Sequence, residues 1–331
     1  MSTPRISIIV APREQFSVSE RALSALLELT EGPYELVYVD GRSPDAVRDY
    51  LRNAAREHDF TLLRHERYLT PNAARNIGVA AASGDVLVFI DNDLIVSAGW
   101  LESLVDAATE TGAWAVGPLY LEGEPSARVI HMAGGRCHFS GERPNREFHT
   151  DHILQHVGLD DLEQPLERSR CDFVEFHCLL LTRHAWETLG PFDEKLLNTR
   201  EHIDLCLGID EAGGEVWFEP GAQVTYKSPP PLARADLPYF LLRWSEQWTR
   251  SSLRHFIDKY GLAAEYEERA AIAAARRSLV IKPLSDSAGR MLGGTVGAFV
   301  HRAGSRVEQL VNRLWVRRSR LSAASSRAVS E

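Results

Sequence analysis

The first part of the chain alternates between short, mostly apolar runs, unbroken over 86–90, and amphipathic stripes. Residues 6–10, 34–39, 60–64 and 86–90 are short, apolar and mostly β-branched or aromatic. Runs of that length and composition predict strands buried on both faces, as in a parallel sheet. Between them, residues 19–29 place Ala22, Leu23, Leu26, Leu27 and Leu29 at helical spacing, and residues 45–58 read as a second helix. A third helix is predicted from Thr70 as cap and Pro71 at the first position, through Ala74, Ile77 and Val79, to the stop at Ser83-Gly84. Strand and helix in strict alternation imply right-handed crossovers and a mostly parallel sheet. Beyond it, helices are expected over 97–109, 187–192 and 199–213, and strands over 114–116, 173–182 and 215–218. Residues 117–170 carry no clear period and are rich in Gly, His, Arg and Pro; such an insert is usually functional or mobile. After Pro229-Pro230-Pro231, residues 237–260 and 263–281 read as helices, with Trp244 and Trp248 assigned to core.

The run at 86–90 ends abruptly in Asp91-Asn92-Asp93. Ligands of open α/β sheets gather beyond the carboxyl ends of the strands. Alternate residues of an extended segment point the same way, so both carboxylates can face one ligand. Paired hard oxygens suit Mg²⁺ or Mn²⁺ held together with substrate phosphates. The plainer alternative is an acidic turn after a strand. Two further strand ends, Ala11-Pro12-Arg13 and Asp40, offer places where a nucleotide can lie, and the three ends together form one constellation. The length, 331 residues, allows one large α/β domain with an appendage. The net charge of −9 argues against nucleic acid as a partner. Cys137, Cys171, Cys178 and Cys206 form no CxxC pair, which reads as reduced thiols in a cytoplasmic protein. Neither a signal peptide nor a spanning apolar run of about 20 residues is expected.

Several spaced motifs then occur in order: Val39-Asp40-Gly41-Arg42-Ser43, Ala74-Arg75-Asn76-Ile77-Gly78, Ser83-Gly84-Asp85 through Asp93, Gly190-Pro191-Phe192-Asp193-Glu194, Glu201-His202-Ile203-Asp204-Leu205 and Glu219-Pro220-Gly221-Ala222. Over residues 6–226 the sequence resembles glycosyltransferase family 2, with the Rossmann-like GT-A fold. The resemblance implies transfer of a sugar from a nucleoside diphosphate sugar, a UDP-sugar being favoured, to a hydroxyl acceptor, with inversion and the help of Mn²⁺ or Mg²⁺. The acceptor is a glycan, a lipid-linked molecule or a small molecule. By the same resemblance Asp40 contacts the nucleobase, with Ala11, Pro12 and Arg13 beside it. Arg75 lies near base or diphosphate, Asp91 and Asn92 near ribose, and Asp93 with Asp91 holds the metal. Glu201, His202 or Asp204 supplies the catalytic base. Two departures stand out. His202 occupies a position where the family often has Asp, and Tyr226-Lys227 stands where a metal-ligand His often follows the last strand. Lys227 is expected to bring positive charge to the diphosphate instead. Two alternatives remain: a nucleotide-sugar-binding protein without turnover, and a nucleotidyltransferase, for which the Gly-rich phosphate loop after the first strand is missing.

The expected organisation is a catalytic domain over 1–228, divided into a nucleotide half (1–116) and an acceptor half (117–228), then a helical extension (229–281) and a tail (282–331). From Lys282 on, nine basic residues oppose three acidic ones, a net +6 that leaves −15 on the rest. Gly289, Gly293 and Gly297 recur every fourth residue, a spacing that lets helices approach closely. Val307, Leu310, Val311, Leu314 and Trp315 form one apolar stripe beside arginines, the pattern of an interfacial membrane helix. The stripe is expected to cover a bilayer surface, its own domain or a second copy in a homodimer, before a disordered end from Ser322.

Overall fold

Residues 8–10 and 86–91 are buried, and each run becomes a strand in the middle of one large sheet. A computed structural model describes residues 4–226, 232–263 and 266–327, with backbone alone for 266–270 and 317–327. The first half runs β1 (Ile6–Ala11), α1 (Ser19–Leu29), β2 (Glu35–Gly41), α2 (Asp45–Glu57), β3 (Thr61–His65), α3 (Pro71–Ala81) and β4 (Val86–Asp91). There follow β5 (Leu94–Val96), α4 (Trp100–Thr111), β6 (Ala115–Glu122), β7 (Val129–Met132), β8 (Gly135–Ser140), β9 (Glu147–His152) and β10 (Ser169–Cys171). The domain continues with β11 (Cys178–Thr182), α5 (Arg183–Leu189), α6 (Glu201–Glu211) and β12 (Val216–Tyr226).

The sheet order is β10-β12-β6-β11-β4-β1-β2-β3. Its β4-β1-β2-β3 half is parallel. β11 is inserted antiparallel between β4 and β6, and β6 and β12 run parallel to each other. The chain winds outward from β1 to β3 and then returns to the other side of β1. The order therefore reverses between β1 and β4, whose carboxyl ends carry 11–13 and 91–93. Such a reversal opens the crevice in which α/β sheets bind ligands. Helix α3 crosses β1 at Gly78, where a Cβ would lie 2.3 Å from Ile9 Cγ2. Only glycine permits that approach.

The insert over 117–170 is more regular than the sequence pattern predicts. β6 continues to Glu122, β7 pairs with it, and β8 and β9 form a separate hairpin. The hairpin buries Phe148 but little else, so its strands lack an apolar run to announce them. The short β5, which pairs antiparallel with β12, was likewise not expected.

The remaining helices are α7 (Leu237–Arg243), α8 (Glu246–Tyr260), α9 (Tyr266–Ser278), α10 (Lys282–Leu292) and α11 (Gly294–Arg327). The extension packs onto the sheet domain. The Tyr239 hydroxyl donates to Leu69 O at 2.9 Å, and Asp236 accepts from Ser17 N at 2.9 Å. Leu242, Trp248 and Val316 form a second small core with Tyr68, Leu197 and Trp315. The glycines at 289, 293 and 297 do not share one helix: Gly293, at φ 97°, turns the chain between α10 and α11. Gly289 and Gly297 face each other across that hairpin, where a Cβ on Gly297 would lie 2.8 Å from Gly289 Cα. The backbone of α11 continues helical to Arg327, through part of the expected disordered end.

Candidate active site

Asp91 lies at the end of β4 and is 2% exposed. Arg13 Nη1 stands 3.0 Å from its Oδ2 and Arg75 Nη2 3.1 Å from its Oδ1. His177 Nδ1 is 3.2 Å from Oδ2. Burial by itself raises the Asp91 carboxyl, but Arg13, His177 and Arg75 outweigh it and bring it down to about 2. Asn92 braces the turn after β1: its side chain accepts from Arg13 N and donates to Gln15 O and Ser19 Oγ. Its N–H donates to Ala11 O. Asp93 is tucked under the same turn, accepting from the N–H groups of Glu14 and Gln15, while its Oδ1 is buried without a hydrogen-bond partner. Burial, and next to it the Asp91 charge, pushes the Asp93 carboxyl up to about 7.

A cavity of about 250 Å³ opens in front of these strand ends. Arg13, Arg75, Arg243 and Arg276 line it together with Glu201, His202 and Trp244. Arg243 is 3% exposed, with Nε and Nη1 lacking hydrogen-bond partners; the Nε atoms of Arg13 and Arg75 lack them too. Tyr226 closes the floor, its ring 4.4 Å from that of His177 and its hydroxyl 3.2 Å from Arg276 Nη1. Burial raises the Tyr226 phenol above its ordinary range, so it stays protonated and offers a metal no anion. A wider groove of about 720 Å³ between α10 and α11 is lined by no residue of the sheet.

The structure thus brings Arg13, Arg75, Glu201 and His202 to one cavity, with Asp91 directly behind the arginines. Asp40 stands apart at the end of β2, where Ser43 N, Ser43 Oγ and Arg64 Nη1 occupy its carboxylate. Asp204 turns toward α8, held by Lys259 Nζ at 2.6 Å and the Tyr260 hydroxyl at 2.8 Å. Pro12 O receives the Tyr239 hydroxyl at 3.3 Å. Lys227 lies outside the described residues.

Sequence reasoning missed Arg243 and Arg276 as site residues and assigned Trp244 to core. Arg276 Cζ lies 5.2 Å from the Trp244 ring, a pairing made only by the fold and signalled by no spacing in the sequence. Sequence reasoning also missed a cluster formed by His131 and His152 of the irregular insert with Glu175, and His177 beside them, all on the cavity wall. Burial works against a charged His131, but Glu175 and Glu122 raise it to about 9. His177 stays neutral, lowered to about 4 by burial and by Arg13.

The reversed sheet order and the carboxylate pair at the switch point define a domain of the GT-A class. Residues 7–158 match the family model "Glycosyl transferase family 2". The match stops short of the motifs from 190 onward. A pre-mycofactocin glycosyltransferase of Mycobacterium tuberculosis is 27% identical over 222 residues, 67% of this chain and 42% of that protein. An inactive polypeptide N-acetylgalactosaminyltransferase-like protein 5 of Mus musculus is 27% identical over 237 residues, 68% of this chain and 53% of that protein. The chain thus spans about half the length, or less, of these relatives. The crystal structure of GalNAc-T7 with UDP, GalNAc and Mn²⁺ superposes with a TM-score of 0.54 at 18% identity, over 83% of this chain and 54% of that one, and shares the fold. Among the described residues no helix is long and apolar enough to cross a membrane.

Proposed function

We propose that this chain is a glycosyltransferase that moves a sugar from a nucleoside diphosphate sugar to a hydroxyl acceptor with inversion. The observation that carries the reading is the set of arginines around one cavity, Arg13, Arg75, Arg243 and Arg276; the first three each keep a buried N–H without a hydrogen-bond partner. Buried donors without partners are costly, and a diphosphate supplies the acceptors they lack. Arg13 and Arg75 are held in place by Asp91, so their charge is pre-positioned for the leaving group. Asp93 Oδ1 is an orphaned hard oxygen beside Asp91, which fits a Mg²⁺ or Mn²⁺ ion shared with substrate phosphates. Such an ion, when bound, adds Lewis-acid neutralisation of the diphosphate.

The acceptor hydroxyl must lose a proton on the face opposite the leaving group. Glu201 and His202 share the cavity wall, whereas Asp204 is engaged by Lys259 and Tyr260. The base is therefore assigned to Glu201 or His202. Removing it is expected to cost transfer roughly 10²-fold or more while donor binding survives. Asp204→Ala is expected to act through α6–α8 packing instead. Trp244 offers an indole face to a sugar ring.

A panel of UDP-, GDP-, TDP- and CDP-sugars, with and without Mn²⁺, tests the donor reading by thermal shift. One base, UDP by preference, should raise the melting temperature, since saturation at 100 times Kd stabilises by about 2.7 kcal/mol. Absence of a shift with all four would overturn the reading.

The tail supports a further proposal on location. Asn312, Trp315 and Val316 dock α11 on the extension, with Asn312 Nδ2 donating to Leu241 O at 2.8 Å. Val307, Leu310, Val311 and Leu314 remain more than half exposed, beside exposed Arg302 and Arg306. An apolar stripe flanked by arginines suits peripheral binding at an anionic membrane surface.

A further inference from the structure

We propose that His131, His152 and Glu175 form a binding site for one divalent transition-metal ion, separate from the Asp91–Asp93 strand end. The ligand atoms of the three residues all lie within 4.8 Å of one another. His131 Nε2 is 3.1 Å from Glu175 Oε2, and His152 Nε2 is 3.8 Å from Glu175 Oε1. Two imidazole nitrogens and one carboxylate oxygen are a donor set that Zn²⁺ takes with a fourth position left open. Mg²⁺, which prefers oxygen throughout, suits it poorly.

The site is held from three directions. His131 comes from β7, His152 ends β9, and Glu175 lies in the segment entering β11. The Glu175 N–H donates to the Tyr120 hydroxyl at 3.0 Å, which pins that segment to β6. On the far side of its ring, His131 Nδ1 is buried without a hydrogen-bond partner, and Glu122 Oε2 stands 3.6 Å away. Glu122 is in turn 2.7 Å from His156 Nδ1. A carboxylate behind a ligating imidazole is the usual means of fixing the ring and raising its basicity toward a metal.

All three residues border the cavity that holds Glu201 and His202, so an open coordination position would face the space proposed for substrate. His177 links the two centres, with Nε2 3.2 Å from Glu175 and Nδ1 3.2 Å from Asp91. On the transferase reading, an ion there would present its open position to a substrate oxygen. The site itself does not rest on the transferase reading, because its first readout is metal binding without any sugar.

The full chain, stripped with EDTA and exchanged into chelator-free buffer, is titrated with Zn²⁺ alone by calorimetry and with Co²⁺ as a visible-absorption probe. One equivalent is expected, with Co²⁺ d–d bands and no thiolate charge-transfer band. His152 is the more exposed of the two histidines, so His152→Ala should stay folded by circular dichroism. It should weaken Zn²⁺ by more than the 10–100-fold or so that loss of an outer-shell partner costs, and Glu122→Gln should fall within that span. His152→Asn, closer in volume, gives the same reading if the alanine variant does not fold. Asp93→Ala should leave Zn²⁺ binding intact. The proposal is overturned by a wild-type chain that binds no Zn²⁺ at millimolar concentration, by unchanged binding in folded His152 variants, or by loss of binding in Asp93→Ala. Zn²⁺ binding without any sugar-nucleotide shift would remove the transferase reading and leave this one standing.

Discussion

Arg243 is buried in the cavity wall with two donor nitrogens unmatched, while Glu14 Oε1, its nearest carboxylate oxygen, is 4.0 Å from Nε. A residue kept for stability alone would be paired better. Arg243→Met should therefore leave the ligand-free protein as stable or slightly more stable, because an orphaned charge is removed. It should also weaken nucleotide-sugar binding by roughly 10–100-fold, the equivalent of one charge-assisted hydrogen bond of about 1.5–3 kcal/mol. Melting curves and calorimetry on the same variant read both signs. Lower stability with unchanged binding would assign Arg243 to packing. Asp93→Ala should remove any Mn²⁺ enhancement of donor binding and leave the fold intact; Mn²⁺-dependent binding that persists would refute Asp93 as ligand. The sequence shows Asp91 and Asp93 plainly because they are neighbours on one strand end. Arg243, Arg276, His131, His152 and Glu175 meet only through tertiary packing of separate elements, and no short spacing announces them.

Elements place these residues, and two contacts between elements can be tested. Gly78 lets α3 lie against β1, and Arg75 sits one turn earlier on the same helix. Gly78→Ala should destabilise by about 1–3 kcal/mol, as overpacking usually does. It should also weaken donor binding, since α3 must lift and carry Arg75 away from Asp91. An alanine variant with wild-type stability would contradict the packing argument. Asp193 ties the turn before α6 to α8, with His255 Nε2 at 2.6 Å and Lys259 Nζ at 3.5 Å. Burial works to raise its carboxyl, but the His255 hydrogen bond, the Lys195 N–H and the nearby charges hold it below its ordinary range. A depressed carboxylate stabilises the fold above its unfolded pKa, and the contribution is lost as pH falls through the folded value. Asp193→Asn should lower the melting temperature by roughly 2–4 °C at pH 7, the shift that 1 kcal/mol produces. The difference should vanish below the ordinary aspartate range of about pH 4. A difference that grows on acidification would reverse the assignment. β1, β2 and β4 were legible because each is buried on both faces and reads as a largely apolar run, while β3, only partly buried, was legible from its place in the alternation. β5 and the β7–β9 segment were not, since short or one-sided strands expose half their residues and lose the pattern.

At the scale of the molecule, the helices after 236 are part of the site as well as an appendage. α7 brings Arg243, the turn after it Trp244, and α9 brings Ile272 and Arg276 to the cavity. The buried Arg277–Glu308 pair then joins α9 to α11. Deleting the tail from 282 would strand Arg277 in the interior and disturb the cavity, so truncation cannot isolate a membrane role. Surface substitution can. Leu310 and Leu314 are 60% and 55% exposed on the outer side of α11, and Phe299 and Val307 continue the same stripe. An exposed apolar stripe of this kind marks a contact surface, and the net +6 of the tail against −15 elsewhere favours an anionic one. The full chain should co-sediment with phosphatidylserine-containing vesicles at low salt and be released at high salt, since each basic residue near the leaflet contributes only about 1 kcal/mol. Leu310→Glu with Leu314→Glu should abolish sedimentation while melting temperature and donor binding stay unchanged, because both side chains are more than half exposed. Failure of the unaltered chain to bind anionic vesicles would exclude the membrane. A concentration-dependent dimer that the same two substitutions dissolve would assign the stripe to a second copy.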